Sequence, residues 1–249
     1  MGRFSLSLRD APTPDMPSYL LRILAASTLV LACSRSNAAS SDTAKKPGAP
    51  AATTADAAPV TKAPDTISAR ADSGRVLGNA SAPIWVVEAS DFQCPYCKMW
   101  HDSTYPKLVE KYVKTGKIRL AFLNMPLQMH RYAVEASEAA MCASVQGKFW
   151  QMHDALFSSQ RNWESAADPS PIFASLAKQA GANMDAWNKC TAQHLTLPMV
   201  QADRERAVAA RVNSTPTFFV GNLILEGADV NLGAAIDSAL AKNGKKAGN

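Results

Sequence analysis

Two cysteines spaced by two residues, Cys94 and Cys97, stand where an apolar run gives way to a helical period. Upstream, Ile84–Ala89 (IWVVEA) is short and almost continuously apolar, the pattern of a buried strand. Downstream, Trp100, Leu108, Val109 and Tyr112 fall at helical spacing. Pro106 lies inside that period and predicts a kink or restart, and Gly116 predicts its end. A second apolar run, Ile118–Leu123, predicts the next strand. Strand, helix and strand in that order form the βαβ unit of a parallel sheet. Both cysteines therefore sit at the start of a helix that follows a buried strand.

That position has chemical consequences. A helix N-terminus presents unpaired N–H groups and partial positive charge, which stabilise a thiolate. The thiolate is the reactive form of cysteine. Pro95 suits a first turn, where no N–H is needed. Two intervening residues let Cys97 lie one turn from Cys94 and close a disulfide. Cys94, Cys97 and His101 could also supply three metal ligands, but the sequence has no second C-x-x-C, and no metal or other cofactor is expected. Haem attachment would need histidine where Lys98 stands.

Beyond the βαβ unit the sequence predicts a helical block over about 127–212. Tyr132, Ala133, Ala136, Ala140 and Ala143 mark one helix face, and Phe149, Met152, His153 and Leu156 another. Ser170-Pro171 and Asn183 read as helix starts, and Pro198–Val212 as a further helix. His130, His153 and His194 read as packing or surface residues of these helices. Thr217–Val220 and Leu223–Leu225 then flank Gly221-Asn222, a two-residue hairpin turn, and Ala234–Ala241 predicts a closing helix.

The chain holds five cysteines, the others being Cys33, Cys142 and Cys190. Cys142 and Cys190 both fall in the helical block. An oxidising compartment favours their pairing, the alternative being two free buried thiols.

Cys33 ends a different pattern. Arg22 precedes the apolar run Ile23–Ala32, which is too short for the ~20 residues of a membrane span and has the form of a secretory signal. Val30-Leu31-Ala32-Cys33 is similar to the lipobox of bacterial lipoproteins, which implies lipidation at Cys33. Ordinary cleavage after Ser36-Asn37-Ala38 is the alternative. Pro12, Pro14 and two aspartates sit oddly before the run, so the expected start of translation is Met16. Residues 34–70 are rich in Ala, Pro, Ser and Thr and carry too little apolar area to fold, so they read as a flexible tether ahead of a domain over 71–249. Nothing in them suggests a dimerisation module, and a monomer is expected. The net charge of +5 is spread without a basic cluster, which argues against nucleic acid as a partner.

Asp91-Phe92-Gln93-Cys94-Pro95-Tyr96-Cys97 after a buried strand, with Thr215-Pro216-Thr217-Phe218-Phe219 near the end, resembles the DsbA-like thioredoxin family over about residues 74–243. Gln146-Gly147-Lys148-Phe149-Trp150 followed by His153 adds to the likeness. The resemblance implies an α/β thioredoxin fold with an inserted helical domain and thiol–disulfide exchange as its activity. It implies Cys94 as the attacking sulfur, Cys97 as the resolving one, and Pro95 and Tyr96 as their support. Pro216 would be a cis-proline facing the pair, and Thr215 would offer backbone hydrogen bonds to an extended substrate. Glu88 would be a buried acid beneath the site that carries a proton for Cys97. Asn213-Ser214 departs from the family pattern, which implies a glycine before Thr215. The partners implied are exported proteins with free thiols or disulfides and a membrane redox partner. Oxidation of dithiols is the first expectation. A reductase or isomerase is the second, and a non-catalytic metal- or protein-binding lipoprotein the third.

Overall fold

The computed structural model describes residues 66–247. The expected signal at 1–33, the start at Met16, the lipid site at Cys33 and the tether as far as residue 65 lie outside the described residues.

Folded structure begins earlier than residue 71. Helix α1 (Ile67–Gly74) opens at Thr66, whose side chain accepts from the Ala69 N–H at 3.1 Å. Ala71 is fully buried. Its apolar content is slight, which hid it in the sequence. Polar anchors hold it instead: Ser144 donates to the Ala71 carbonyl at 2.6 Å, and Arg75, just past its end, pairs with buried Asp203.

The elements that follow are β1 (Val76–Leu77), β2 (Ile84–Ser90), α2 (Pro95–Ser103), α3 (Tyr105–Leu108), a π-helical turn (Val109–Val113) and β3 (Ile118–Asn124). The restart expected at Pro106 is the break between α2 and α3, with Pro106 in the first turn of α3. Six helices come next: α4 (Ala133–Ser144), α5 (Phe149–Ser158), α6 (Gln160–Glu164), α7 (Ser170–Gln179), α8 (Met184–Ala192) and α9 (Leu197–Ala209). The chain ends with β4 (Thr217–Val220), β5 (Leu223–Glu226) and α10 (Leu232–Ala247). Asn183 caps α8 through its side chain, and Gly221 takes the positive φ of 58° that the β4–β5 turn requires. Among the described residues no helix is long and apolar enough to cross a membrane.

The strand order is β1-β3-β2-β4-β5. β2 and β3 are parallel, as the βαβ reading requires, and the other pairs are antiparallel. On one sheet face Val86, Leu120, Phe218 and Val220 pack with Trp100, Tyr105 and Ile236. On the other, Ala89 packs with Met125, Ala207 and Val212. The inserted helices have their own core around Met141, Phe157 and Trp163, and that core continues into Phe92, Cys94 and Cys97. The thiol pair thus lies at the seam between sheet and insertion. Cys142 and Cys190 form a disulfide between α4 and α8, with Cα atoms 5.8 Å apart.

Candidate active site

β2 aims its C-terminal end at the thiol pair, and α2 begins there. Cys94 is the N-cap residue of α2, with extended backbone (φ −71°, ψ 124°), and Pro95 occupies the first turn. Both cysteines are free and buried. Cys94 Sγ lies 3.4 Å from the Thr215 carbonyl oxygen, a contact to which only its protonated form can donate. The Thr215–Pro216 peptide is cis. Tyr96 projects into solvent beside the pair, 62% exposed, and Met99 and Met129 are also exposed.

The two sulfurs are unlike. Cys94 is pulled down from its ordinary value to about 6, first by the Cys97 thiol as hydrogen-bond donor. Burial opposes that shift, and the Thr215 side chain and the backbone N–H groups of Cys97 and Tyr96 reinforce it. Those N–H groups are the free donors of the first helical turn. Cys97 is pushed well up, first by burial and then by its hydrogen bond to Cys94. Cys94 is therefore the thiolate at neutral pH and Cys97 the proton-holding thiol.

Glu88 is a fully buried residue of β2, six positions before Cys94. Its strand neighbours in register are Phe122 and Phe218, both buried aromatics. Neither carboxylate oxygen has a hydrogen-bond partner. Burial raises Glu88 to about 8, and the opposing influence of Ser90 and His101 is too weak to restore it. At neutral pH Glu88 is a neutral acid, able to hold or release a proton.

Three further residues, none of them given a role at the site by the sequence reading, meet the active-site loop. Asp91, fully buried, accepts from the Gln93 N–H at 2.7 Å, from the Leu127 N–H at 2.8 Å and from His130 Nδ1 at 2.7 Å. His130 lies in the turn before α4 and His194 in the turn before α9, so the expectation that both lie on helices is corrected. Gln160 of α6 donates to the carbonyls of Phe92 (2.7 Å) and Cys94 (3.1 Å). Only Asp91 left a trace in the sequence, as an aspartate two residues ahead of an N–H that it can cap.

His101 turns away from the thiols. Burial alone would lower it, but Asp154 and Asp102 together raise it. Its ring nitrogens lie 3.0 Å from Asp102 and 3.3 Å from Asp154. His153, buried among Phe92, Phe122, Trp150 and Phe157, also reaches Asp154, at 2.8 Å. His101, His153 and Asp154 are the group of possible metal ligands among the described residues; both rings reach Asp154 Oδ1, and His153 Nε2 has no hydrogen-bond partner. The arrangement at the thiols can perform two-electron exchange: one sulfur attacks or leaves as a thiolate and the other closes the ring.

Comparison with known proteins gives the family and the fold. The family described as Thioredoxin matches residues 70–238. The chain is 30% identical over 170 residues to the "Probable disulfide bond formation protein D" of Bacillus anthracis, covering 67% of this chain and 78% of that one. It is 33% identical over 150 residues to the Na(+)/H(+) antiporter NhaA 3 of Salinispora tropica, covering 60% of this chain but only 22% of the antiporter. Oxidised BdbD from Bacillus subtilis is similar in structure, with a TM-score of 0.62 at 24% identity over 68% of this chain and 94% of that one.

Proposed function

The chain belongs to the DsbA-like thioredoxin family of protein-disulfide oxidoreductases, and on that footing we propose that it oxidises the dithiols of exported proteins through a Cys94–Cys97 disulfide. A substrate thiolate attacks Cys94 Sγ and breaks the Cys94–Cys97 bond. Cys97 leaves and takes a proton, for which neutral Glu88 is the nearby source. A second substrate thiolate then attacks the substrate sulfur of the mixed disulfide and expels Cys94 as a thiolate. The substrate loses two electrons and the pair gains them. A membrane redox partner takes those electrons and restores the disulfide.

The observation that carries the direction is the asymmetry of the pair, with Cys94 lowered to about 6 and Cys97 raised. A thiolate that is stable when expelled makes the disulfide a better oxidant. The Thr215 carbonyl beside Cys94 supports an extended substrate segment docking there by strand addition. The signal-like run before Cys33 supports export with a lipid anchor at that cysteine, and the Cys142–Cys190 disulfide supports an oxidising compartment. The protein acts as a monomer.

The test is the equilibrium of the Cys94–Cys97 pair against glutathione, with Cys142 and Cys190 intact. A potential near about −120 mV supports the oxidase. A value near about −230 mV or lower overturns it in favour of a reductase or isomerase.

A further inference from the structure

Asp91 joins two segments that are far apart in sequence. Its carbonyl accepts from the Cys94 N–H at 3.1 Å, so it is part of the turn that carries the reactive sulfur. Its carboxylate reaches the other way and holds His130 Nδ1 at 2.7 Å and the Leu127 N–H at 2.8 Å. A carboxylate only accepts, so His130 Nδ1 is a donor and carries hydrogen. Gln93 makes a second link between the same segments, accepting from the Tyr132 N–H at 2.7 Å. The His130 side chain is 15% exposed and the Asp91 side chain 0%. The imidazole is therefore fixed next to the turn that bears Cys94.

We infer that His130 is a positioning residue for the Cys94 thiolate: clamped by Asp91, its imidazolium supplies the side-chain positive charge that the uncharged Pro95-Tyr96 pair lacks. The groups that act on His130 are Asp91, then Cys94, then Glu164 of α6, and all three favour its charged form while burial opposes it. Arg131, its neighbour in sequence, is engaged elsewhere, over the Tyr132 ring at 4.8 Å. The inference rests on Cys94 being the thiolate of the pair and deepens that reading.

Linkage makes the effect reciprocal. If protonated His130 stabilises the Cys94 thiolate, the thiolate must raise His130 by the same factor. Forming the Cys94–Cys97 disulfide removes the thiolate, so His130 must then titrate at lower pH.

Two measurements on the folded protein test this. The first follows thiolate absorbance against pH in the reduced protein, with Cys94→Ala as the control. Loss of the low-pH transition in Cys94→Ala establishes Cys94 as the thiolate; its persistence there overturns the underlying reading and this inference with it. In His130→Gln the transition moves up by roughly 0.5–1 pH unit, and His130→Arg, which keeps a cation on Asp91, brings it back. The glutathione equilibrium of His130→Gln moves roughly three- to tenfold toward the disulfide form. An unmoved transition in a His130→Gln protein of wild-type unfolding midpoint overturns the inference. The second measurement needs no variant: the His130 ring is titrated by NMR in the wild-type dithiol and disulfide forms. A lower midpoint in the disulfide form is expected. Equal midpoints overturn the inference even if His130→Gln does not fold.

Discussion

Gln160 Nε2 donates to the carbonyl oxygen of Cys94 over 3.1 Å, across 66 residues of sequence. The same nitrogen reaches the Phe92 carbonyl at 2.7 Å, so one amide of the insertion holds both sides of the turn that leads into α2. Gln160→Ala leaves these carbonyls without that donor. A loss of about 1–3 kcal/mol is expected by urea unfolding, with a slower rate of substrate oxidation because the turn carrying Cys94 is loosened. Unchanged stability and rate would remove Gln160 from the site.

Glu88 makes stability depend on pH in an unusual sense. Its folded value of about 8 lies above the ordinary 4.5, so between these values the folded state holds a proton that the unfolded chain has lost. Stability therefore falls as pH rises from about 4.5 to about 8. Glu88→Gln abolishes that fall. The variant is expected to be more stable than wild type by about 3 kcal/mol at pH 7, with the gap closing at pH 4, as read by thermal unfolding of the reduced proteins. Its oxidation rate is expected to drop, since the proton source for Cys97 is gone.

Cys97 is the largest influence on Cys94, which sets up a contrast of variants. Cys97→Ser keeps a donor and should leave the Cys94 titration near its low position. Cys97→Ala removes the donor, and the midpoint should rise above about 6. Rates of alkylation against pH read this directly. With a substrate supplied in its disulfide form, the Cys94 thiolate of both variants should attack it, expel the substrate's other sulfur as a thiolate and persist as a mixed disulfide, visible by non-reducing electrophoresis. In the wild-type reduced protein the lowered Cys94 contributes stability that is full above about 9 and is lost as pH falls through about 6.

The Cys142–Cys190 disulfide closes a separation of 48 residues. Replacing both cysteines with serine is expected to cost about 4 kcal/mol on the chain-entropy estimate. The glutathione equilibrium of Cys94–Cys97 should stay where it was, because this staple joins α4 to α8 and is not among the leading influences on either thiol. A shifted equilibrium would mean that the insertion transmits its state to the site.

The parts of the fold that show in the sequence have local or chemical signals. Ile84–Ala89 and Ile118–Leu123 are apolar runs of strand length, Pro106 breaks a helical period, and Gly221-Asn222 marks a two-residue turn. Helix α1 has no such signal, because Thr66, Ser144 and Asp203 secure it through polar contacts. The same distinction holds at the site. Cys94 and Cys97 declare themselves by spacing, and Thr215-Pro216 and Glu88 by their likeness to a family. Gln160 and His130 act on the turn from 66 and 39 residues away through isolated side-chain hydrogen bonds, and no periodicity encodes such a contact. α6, which delivers Gln160, is five residues long, too short for a helical pattern to emerge.

The carboxyl of Glu88, set between Phe122 and Phe218, also bears on how this protein would respond to selection. A screen for heat resistance at neutral pH rewards any neutral side chain that fills position 88, so its winners would be slow catalysts. Activity has to be scored alongside stability, because at this one position the two pull a sequence in opposite directions.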